Sequence, residues 1–272
     1  MFFVQVARLE DPEGAGRERL LLVGGSPSGR GVVTSASYEV REFGVRSGMS
    51  TARALRLCPE AVVVPVARGA VSRKSREVRE VLHRLSPVVQ TASVDEFYLD
   101  LSGTERLFRG ESLEGTARRF RQTVLEETGI SVSVGGGANR LVAKLAVRRA
   151  KPAGVHIVPP GGEGAFLRTH DLAELPGVGP SLVESLRRRG LVRVEDALRV
   201  ERHWLDEWFG ESRGAWLYDR IRGRDPSAVR THEPRKSVST ERTFGEDLHD
   251  DGEVERELLR LAGSVAQTLR SG

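Results

Sequence analysis

Two adjacent carboxylates, Asp95 and Glu96, stand inside the run Ser93-Val94-Asp95-Glu96-Phe97-Tyr98-Leu99-Asp100, and no other feature limits this chain's fold so tightly. The Val, Phe, Tyr and Leu around them read as a half-buried β-strand. Successive strand side chains point to opposite faces, so the two acids cannot share one face of a regular strand. They can converge on one ion where the strand ends or bulges. Half-buried charges are costly without a partner. A divalent cation held by oxygen is one answer, and Mg²⁺ suits one or two carboxylates completed by substrate phosphates. A solvated strand end or a pair of surface salt bridges is the plainer alternative, and for an isolated Asp-Glu pair it is the commoner one.

The bulk of the sequence narrows the class. With 272 residues there is room for one large domain or two to three smaller ones, and 39% hydrophobic residues are enough for a core. A net charge of +4, carried largely by arginine, together with a basic isoelectric point, tilts towards a polyanionic partner. The single cysteine, Cys58, excludes an internal disulfide and a cysteine metal cluster. No apolar run reaches transmembrane length, and Met1-Phe2-Phe3-Val4-Gln5-Val6-Ala7-Arg8 lacks the basic start of a signal peptide. Cytoplasmic residence is the default.

Apolar patterning predicts a mixed helix–strand chain. Runs bounded by Gly, Ser and Pro predict strands over 19–24, 31–35, 61–66 and 130–134, and residues 88–93 lead into the acidic strand. Helices are predicted over 36–43, 50–57, 71–85, 113–127 and 139–150. After Pro159-Pro160-Gly161-Gly162 the composition shifts. Residues 167–224 read as short helices with all three tryptophans and clustered arginines. Residues 231–236 read as a linker, and 237–244 as the start of a new alternating strand.

Three further constellations carry chemistry. Leu175-Pro176-Gly177-Val178-Gly179-Pro180 reads as a tight turn opening a helix. Bare Gly amides at a helix N-terminus approach phosphate closely, the shape of a helix-hairpin-helix that grips a nucleic-acid backbone. Arg187-Arg188-Arg189 ends the same helix, and an ordinary helix-to-helix turn is the plainer alternative. Tyr38 and Arg41, three apart on a helix, share a face and can both donate to a triphosphate, unless they are simply a surface Arg above a half-buried Tyr. Lys144 lies on the predicted 139–150 helix. Lys151, where Pro152 ends that helix, can reach a phosphate or merely cap the helix.

Taken in order, these segments resemble the Y-family (translesion) DNA polymerases, in particular their DNA polymerase IV branch. The resemblance runs through Phe2-Phe3, 36–49, 59–65, 93–101, 133–154, 175–179 and 235–244, most specifically in SVDEFYLD, YEVREFGV and AVRRAKPAGV. It implies an α+β chain: a palm over 1–10 and 67–165, small fingers over 11–66, a helix-hairpin-helix thumb over 166–230, a linker over 231–236 and a partial little finger over 237–272. It implies template-directed, two-metal phosphoryl transfer with two Mg²⁺ ions, Mn²⁺ being able to substitute. Asp95 and Glu96 match metal-binding carboxylates. Ser35, Tyr38, Arg41 and Lys151 match residues around the triphosphate. Phe3, with Phe2 beside it on what the resemblance makes the family's first strand, matches the bulky residue beneath the sugar. Gly177, Gly179, Arg187 and Arg188 fall at the DNA backbone. The implied partners are primer–template DNA, a deoxynucleoside triphosphate and a sliding clamp reached beyond residue 272. The protein is expected to be a monomer and not a membrane protein.

The sequence departs from the family at both ends. The family's first strand carries acidic positions ahead of Met1, the first metal aspartate among them, and the little finger's remaining strands lie beyond Gly272. The expectation is a chain trimmed at both ends and inactive as it stands. Gly135-Gly136-Gly137-Ala138 is richer in glycine than the family's turn and is expected to be flexible. A non-catalytic, DNA-binding relative that recruits another polymerase is the rival reading. Retention of Asp95, Glu96, Tyr38, Arg41 and Lys151 weighs against it. A generic helix-hairpin-helix nuclease or repair protein is further off, since no second acidic cluster stands out.

Overall fold

The computed structural model describes residues 1–104, 106, 110–231 and 235–271, which form two compact units, Met1–Arg76 with His232–Gly272, and Glu77–Thr231. The first unit opens with helix α1 (Phe2–Glu10), so Phe2 and Phe3 begin a helix rather than extend a strand. From Gln5 to Glu10 every residue but Val6 is a good helix former, and this outweighs the strand preference of Phe and Val. Asp11 and Pro12 end the helix. The Asp11 carboxylate accepts from the Ala15 and Gly14 amides at 3.0 and 2.9 Å, which fixes the turn and lowers its pKa. Val4 and Ala15 pack with Leu21 and Val23 of strand β1 (Leu21–Gly24), and Phe3 and Ala7 lie against them.

All four residues of β1 are buried because it is the central strand. Strand β2 (Val33–Ala36) pairs with it antiparallel, Val23 opposite Ser35, and β3 (Val62–Val64) pairs parallel on the other side. Between β2 and β3 lie α2 (Tyr38–Glu42) and α3 (Thr51–Leu57), each started by a serine, Ser37 or Ser50, that accepts from an amide in the first turn. Helix α4 (Arg68–Leu85) contributes residues to both units.

In the second unit β4 (Val88–Thr91) and β5 (Phe97–Asp100) form an antiparallel hairpin whose last pair is Thr91 opposite Phe97. The acidic pair therefore lies in the loop and not within a strand. After α5 (Leu113–Thr128) comes a parallel unit in which β6 (Val134–Gly136) and β7 (Val155–Ile157) are joined by α6 (Arg140–Ala150). The strand expected over 130–134 begins where that range ends, and the glycine run expected to be flexible supplies two of its three residues. A Cβ on Gly135 would lie 2.2 Å from Val147 N and 2.5 Å from Ala143 O, so its absence lets α6 sit directly on the strand.

Short helices complete the unit: α7 (Glu163–Arg168), a 3₁₀ turn (Leu172–Glu174), α8 (Pro180–Arg187), α9 (Val194–Leu198), α10 (Arg202–Phe209) and α11 (Glu211–Arg220). They share one core with α6, in which Leu145, Leu167, Leu186, Leu205 and Leu217 are fully buried. Helix α12 (Asp251–Ser271) belongs to the first unit, and none of its residues is buried. The strand expected over 237–244 is irregular, for its alternation defines two faces but meets no partner strand among the described residues. Of the expected linker, His232, Glu233 and Pro234 lie outside the described residues. Among the described residues no helix is long and apolar enough to cross a membrane.

Candidate functional site

The loop between β4 and β5 is closed by its own backbone. Ala92 and Ser93 both donate to the Glu96 carbonyl, at 2.9 and 3.2 Å. Ser93 Oγ donates to Asp95 Oδ1 at 2.7 Å and accepts from the Asp95 amide at 3.3 Å. Glu96 Oε1 forms an ion pair with Lys144 Nζ on α6. Because the strand stops here, the alternation that would send neighbouring side chains to opposite faces no longer applies. Both acids are exposed, so the expected burial cost of their charges is not present. The arrangement combines a solvated strand end with a salt bridge.

What the donors could hold follows from their chemistry. Asp95 and Glu96 offer hard carboxylate oxygens, one oriented by Ser93 and the other steadied by Lys144. They fit a Mg²⁺ that keeps several water ligands and takes the rest from phosphate oxygens. Among the described residues no group of three or more His, Cys, Asp or Glu converges to form a protein cage for a metal. Further along β5, hydrogen bonds from Ser102 hold the Asp100 carboxyl below its ordinary pKa.

The phosphate-binding candidates divide between the units. In the first, Ser35 is buried on β2, and the adjoining α2 carries Tyr38 and Arg41 on one face, as their spacing predicts. The Arg41 guanidinium carbon is 5.8 Å from the centre of the Tyr38 ring, and its Nε donates to the Ala36 carbonyl at 3.0 Å. That bond fixes the arginine and leaves its terminal nitrogens for a ligand. Ser37 anchors the helix start by donating to Arg19 O at 2.9 Å. Phe2 is buried and Phe3 half-buried, their rings 6.0 Å apart and edge-on. Cys58 ends α3 fully buried, and burial raises its thiol pKa, so it is no nucleophile. In the second unit Lys151 ends α6, exposed, with an extended backbone leading to Pro152. The structure thus brings together Tyr38 with Arg41, and Asp95 with Glu96 and Lys144.

The helical region of the second unit contains the glycine turn. Gly177 has φ +91°, and a Cβ there would lie 2.7 Å from Trp216 Cζ2, so both its conformation and its packing require glycine. Gly179 precedes α8 with φ −83°, and a Cβ there would meet nothing within 4 Å. Only the second glycine is therefore open to a ligand. Arg187 and Arg188 are exposed at the far end of α8, about 12 Å along its axis, too far from the glycine turn to share one small ligand group with it. Arg189 lies over Trp208 at 5.0 Å and donates to Ser185, which commits it to structure. Sequence reasoning missed Ser93 and Trp216. The Ser-x-Asp spacing of a local turn was a usable signal for the first. Nothing local signals Trp216.

Comparison with known proteins places the chain among relatives. Residues 1–148 match the model of the impB/mucB/samB family, residues 173–225 that of the DNA polymerase-iota thumb domain, and residues 235–272 that of the impB/mucB/samB C-terminal domain. The DNA polymerase IV of Halorhodospira halophila is 39% identical over 268 residues, 98% of this chain and 74% of its own length. That of Alkalilimnicola ehrlichii is 37% identical, with the same coverage of 98% and 74%. Among solved structures, the insertion ternary complex of Dbh DNA polymerase is 29% identical with a TM-score of 0.74. DinB from Sulfolobus solfataricus is 29% identical with a TM-score of 0.73. In both cases the match covers 84% of this chain and 66% of the solved one, just under two thirds of its length.

Proposed function

The chain belongs to the impB/mucB/samB family, the Y-family of translesion DNA polymerases, and on that footing we propose that it serves template-directed addition of deoxynucleotides to a primer 3′ end. Members of this family depend on a divalent cation. The finer reading is a pair of Mg²⁺ ions, replaceable by Mn²⁺, with Asp95 and Glu96 as the ligands that this sequence supplies. When bound, such ions lower the pKa of the primer hydroxyl and neutralise charge on the triphosphate and departing pyrophosphate. The chain's own groups position the substrates. Tyr38 and Arg41, with Ser35 on the adjoining strand, and Lys151 of the second unit are the groups that serve the triphosphate by charge-assisted hydrogen bonds. Phe3 lies beneath the sugar and excludes a 2′-hydroxyl. Gly179 at the start of α8, with Gly177 shaping the turn, and Arg187 and Arg188 at its end, hold the DNA backbone without reading bases.

The same reading divides the chain into palm (1–10 and 67–165), fingers (11–66), thumb (166–230) and a partial little finger (237–272). The partners are primer–template DNA and a deoxynucleoside triphosphate. The protein works as a monomer, in the cytoplasm with its DNA.

The observation that carries the proposal is the Ser93–Glu96 loop, which frees two neighbouring carboxylates from the strand and steadies each with its own partner. Nothing favours the non-catalytic alternative, since the acids, the Tyr38–Arg41 pair and Lys151 are all present. Primer extension on undamaged template by the natural protein that carries this sequence tests it. Asp95→Asn should abolish extension while DNA binding stays near normal, because the thumb contacts remain. Near-normal extension by that variant overturns the assignment.

A further inference from the structure

Lys144 is the one cation in contact with the acidic loop among the described residues. It is held on a rigid base. Its helix, α6, sits directly on β6 at Gly135, and its neighbours Leu141, Val142, Leu145 and Ala146 are all buried. The ion pair is open to solvent, with the Glu96 side chain 46% exposed and the half-buried lysine 29%, so it adds little to stability. Its effect is local, because the ammonium holds an oxygen of the carboxylate that a metal would need.

We propose that Lys144 is an internal counter-ion for the acidic loop, a positioning residue that keeps Glu96 in place and competes with the divalent cation for it. A cation then loads by exchange with the ammonium and not onto a free carboxylate. The affinity of the free protein for metal is thereby held low, while Glu96 remains oriented before loading. The inference rests on the reading of Asp95 and Glu96 as metal ligands.

The probe is Mn²⁺ alone, titrated into residues 1–272 and followed by water-proton relaxation enhancement. Lys144→Met keeps the aliphatic stem and removes the competing charge, so Mn²⁺ should bind roughly two- to five-fold tighter, the range set by the strength of an exposed ion pair. Lys144→Arg should bind as the parent does, since arginine can take over the pairing. Arg148→Met removes an equal charge one helical turn along, at an exposed position, and should leave the affinity unchanged. Unchanged or weaker binding by Lys144→Met overturns the inference, as does an equal tightening by Arg148→Met, which would mean general electrostatics. A large fall in melting temperature for Lys144→Met would make the lysine structural and overturn it too. Asp95→Asn and Glu96→Gln separate the two levels: if neither weakens Mn²⁺ binding, the metal reading itself fails.

Discussion

Gly135→Ala tests how the fold supports the acidic site. The added Cβ would lie 2.2 Å from Val147 N, 2.5 Å from Ala143 O and 2.7 Å from Val147 Cα, all of them backbone atoms of one helix. Ordinary carbon contacts lie near 3.5–4.0 Å, so α6 must retreat by roughly 1 Å. No side chain can swing aside to absorb this. Overpacking of this kind costs about 1–3 kcal/mol, and alanine returns about 0.4–1 kcal/mol by restricting the unfolded chain. The expected net loss is about 1–1.5 kcal/mol, or about 2–6 °C in melting temperature for a unit of this size. Gly136→Ala is the control, because its Cβ would meet only the terminal methyl of Ile157, at 2.6 Å. A turn about the Ile157 side-chain bonds can move that carbon aside, and the loss should stay under about 1 kcal/mol. Urea unfolding followed by tryptophan fluorescence reads the second unit, which holds Trp204, Trp208 and Trp216. A Gly135→Ala protein within about 0.5 kcal/mol of the parent would refute the reasoning.

The thumb glycines should separate in the same way. Gly177→Ala should cost about 1–3 kcal/mol of stability through its φ and Trp216, whereas Gly179→Ala should melt normally and bind DNA more weakly in a filter-binding titration. The side chain of Asp225 is enclosed, and that raises its pKa, but hydrogen bonds from Ser227 and the Arg220 charge outweigh this and hold it below the ordinary value. A depressed carboxyl contributes stability that is complete above its unfolded pKa of about 3.9 and is lost as pH falls through the folded value. Thermal melts between neutral pH and pH 3 should therefore show Asp225→Asn less stable than the parent at neutral pH, with the difference closing in acid; a constant difference would contradict this. Phe3→Ala should raise the ratio of ribonucleotide to deoxyribonucleotide incorporation by the natural protein, and an unchanged ratio would remove Phe3 from the sugar.

Much of this could be read from the residues because it is local. Tyr38 and Arg41 share a face through helical spacing alone, and Pro152 after Lys151 marks the end of α6. The misreadings have a common cause in contacts that are distant in sequence. The Val and Phe flanking Asp95 and Glu96 favour a strand, but the pairing of Thr91 with Phe97 ends the ladder before the acids are reached. Gly135 and Gly136 look like a turn, yet they are strand because α6 and β7 close over them. Phe2, Val4 and Val6 alternate as a strand would, and all three are nonetheless buried from a helix. Residues 237–244 have the strand pattern without a described partner. The Lys144–Glu96 pair spans 48 positions, a distance no spacing rule reaches.

The central claim is that Asp95 and Glu96 bind the ions of a nucleotidyl transfer. Anomalous scattering from Mn²⁺ in crystals of this protein with primer–template DNA and an incoming deoxynucleoside triphosphate tests it most directly. The account predicts an anomalous peak in bonding contact, about 2.0–2.4 Å, with carboxylate oxygens of both residues. Mn²⁺ bound to the triphosphate but away from both carboxylates would contradict it.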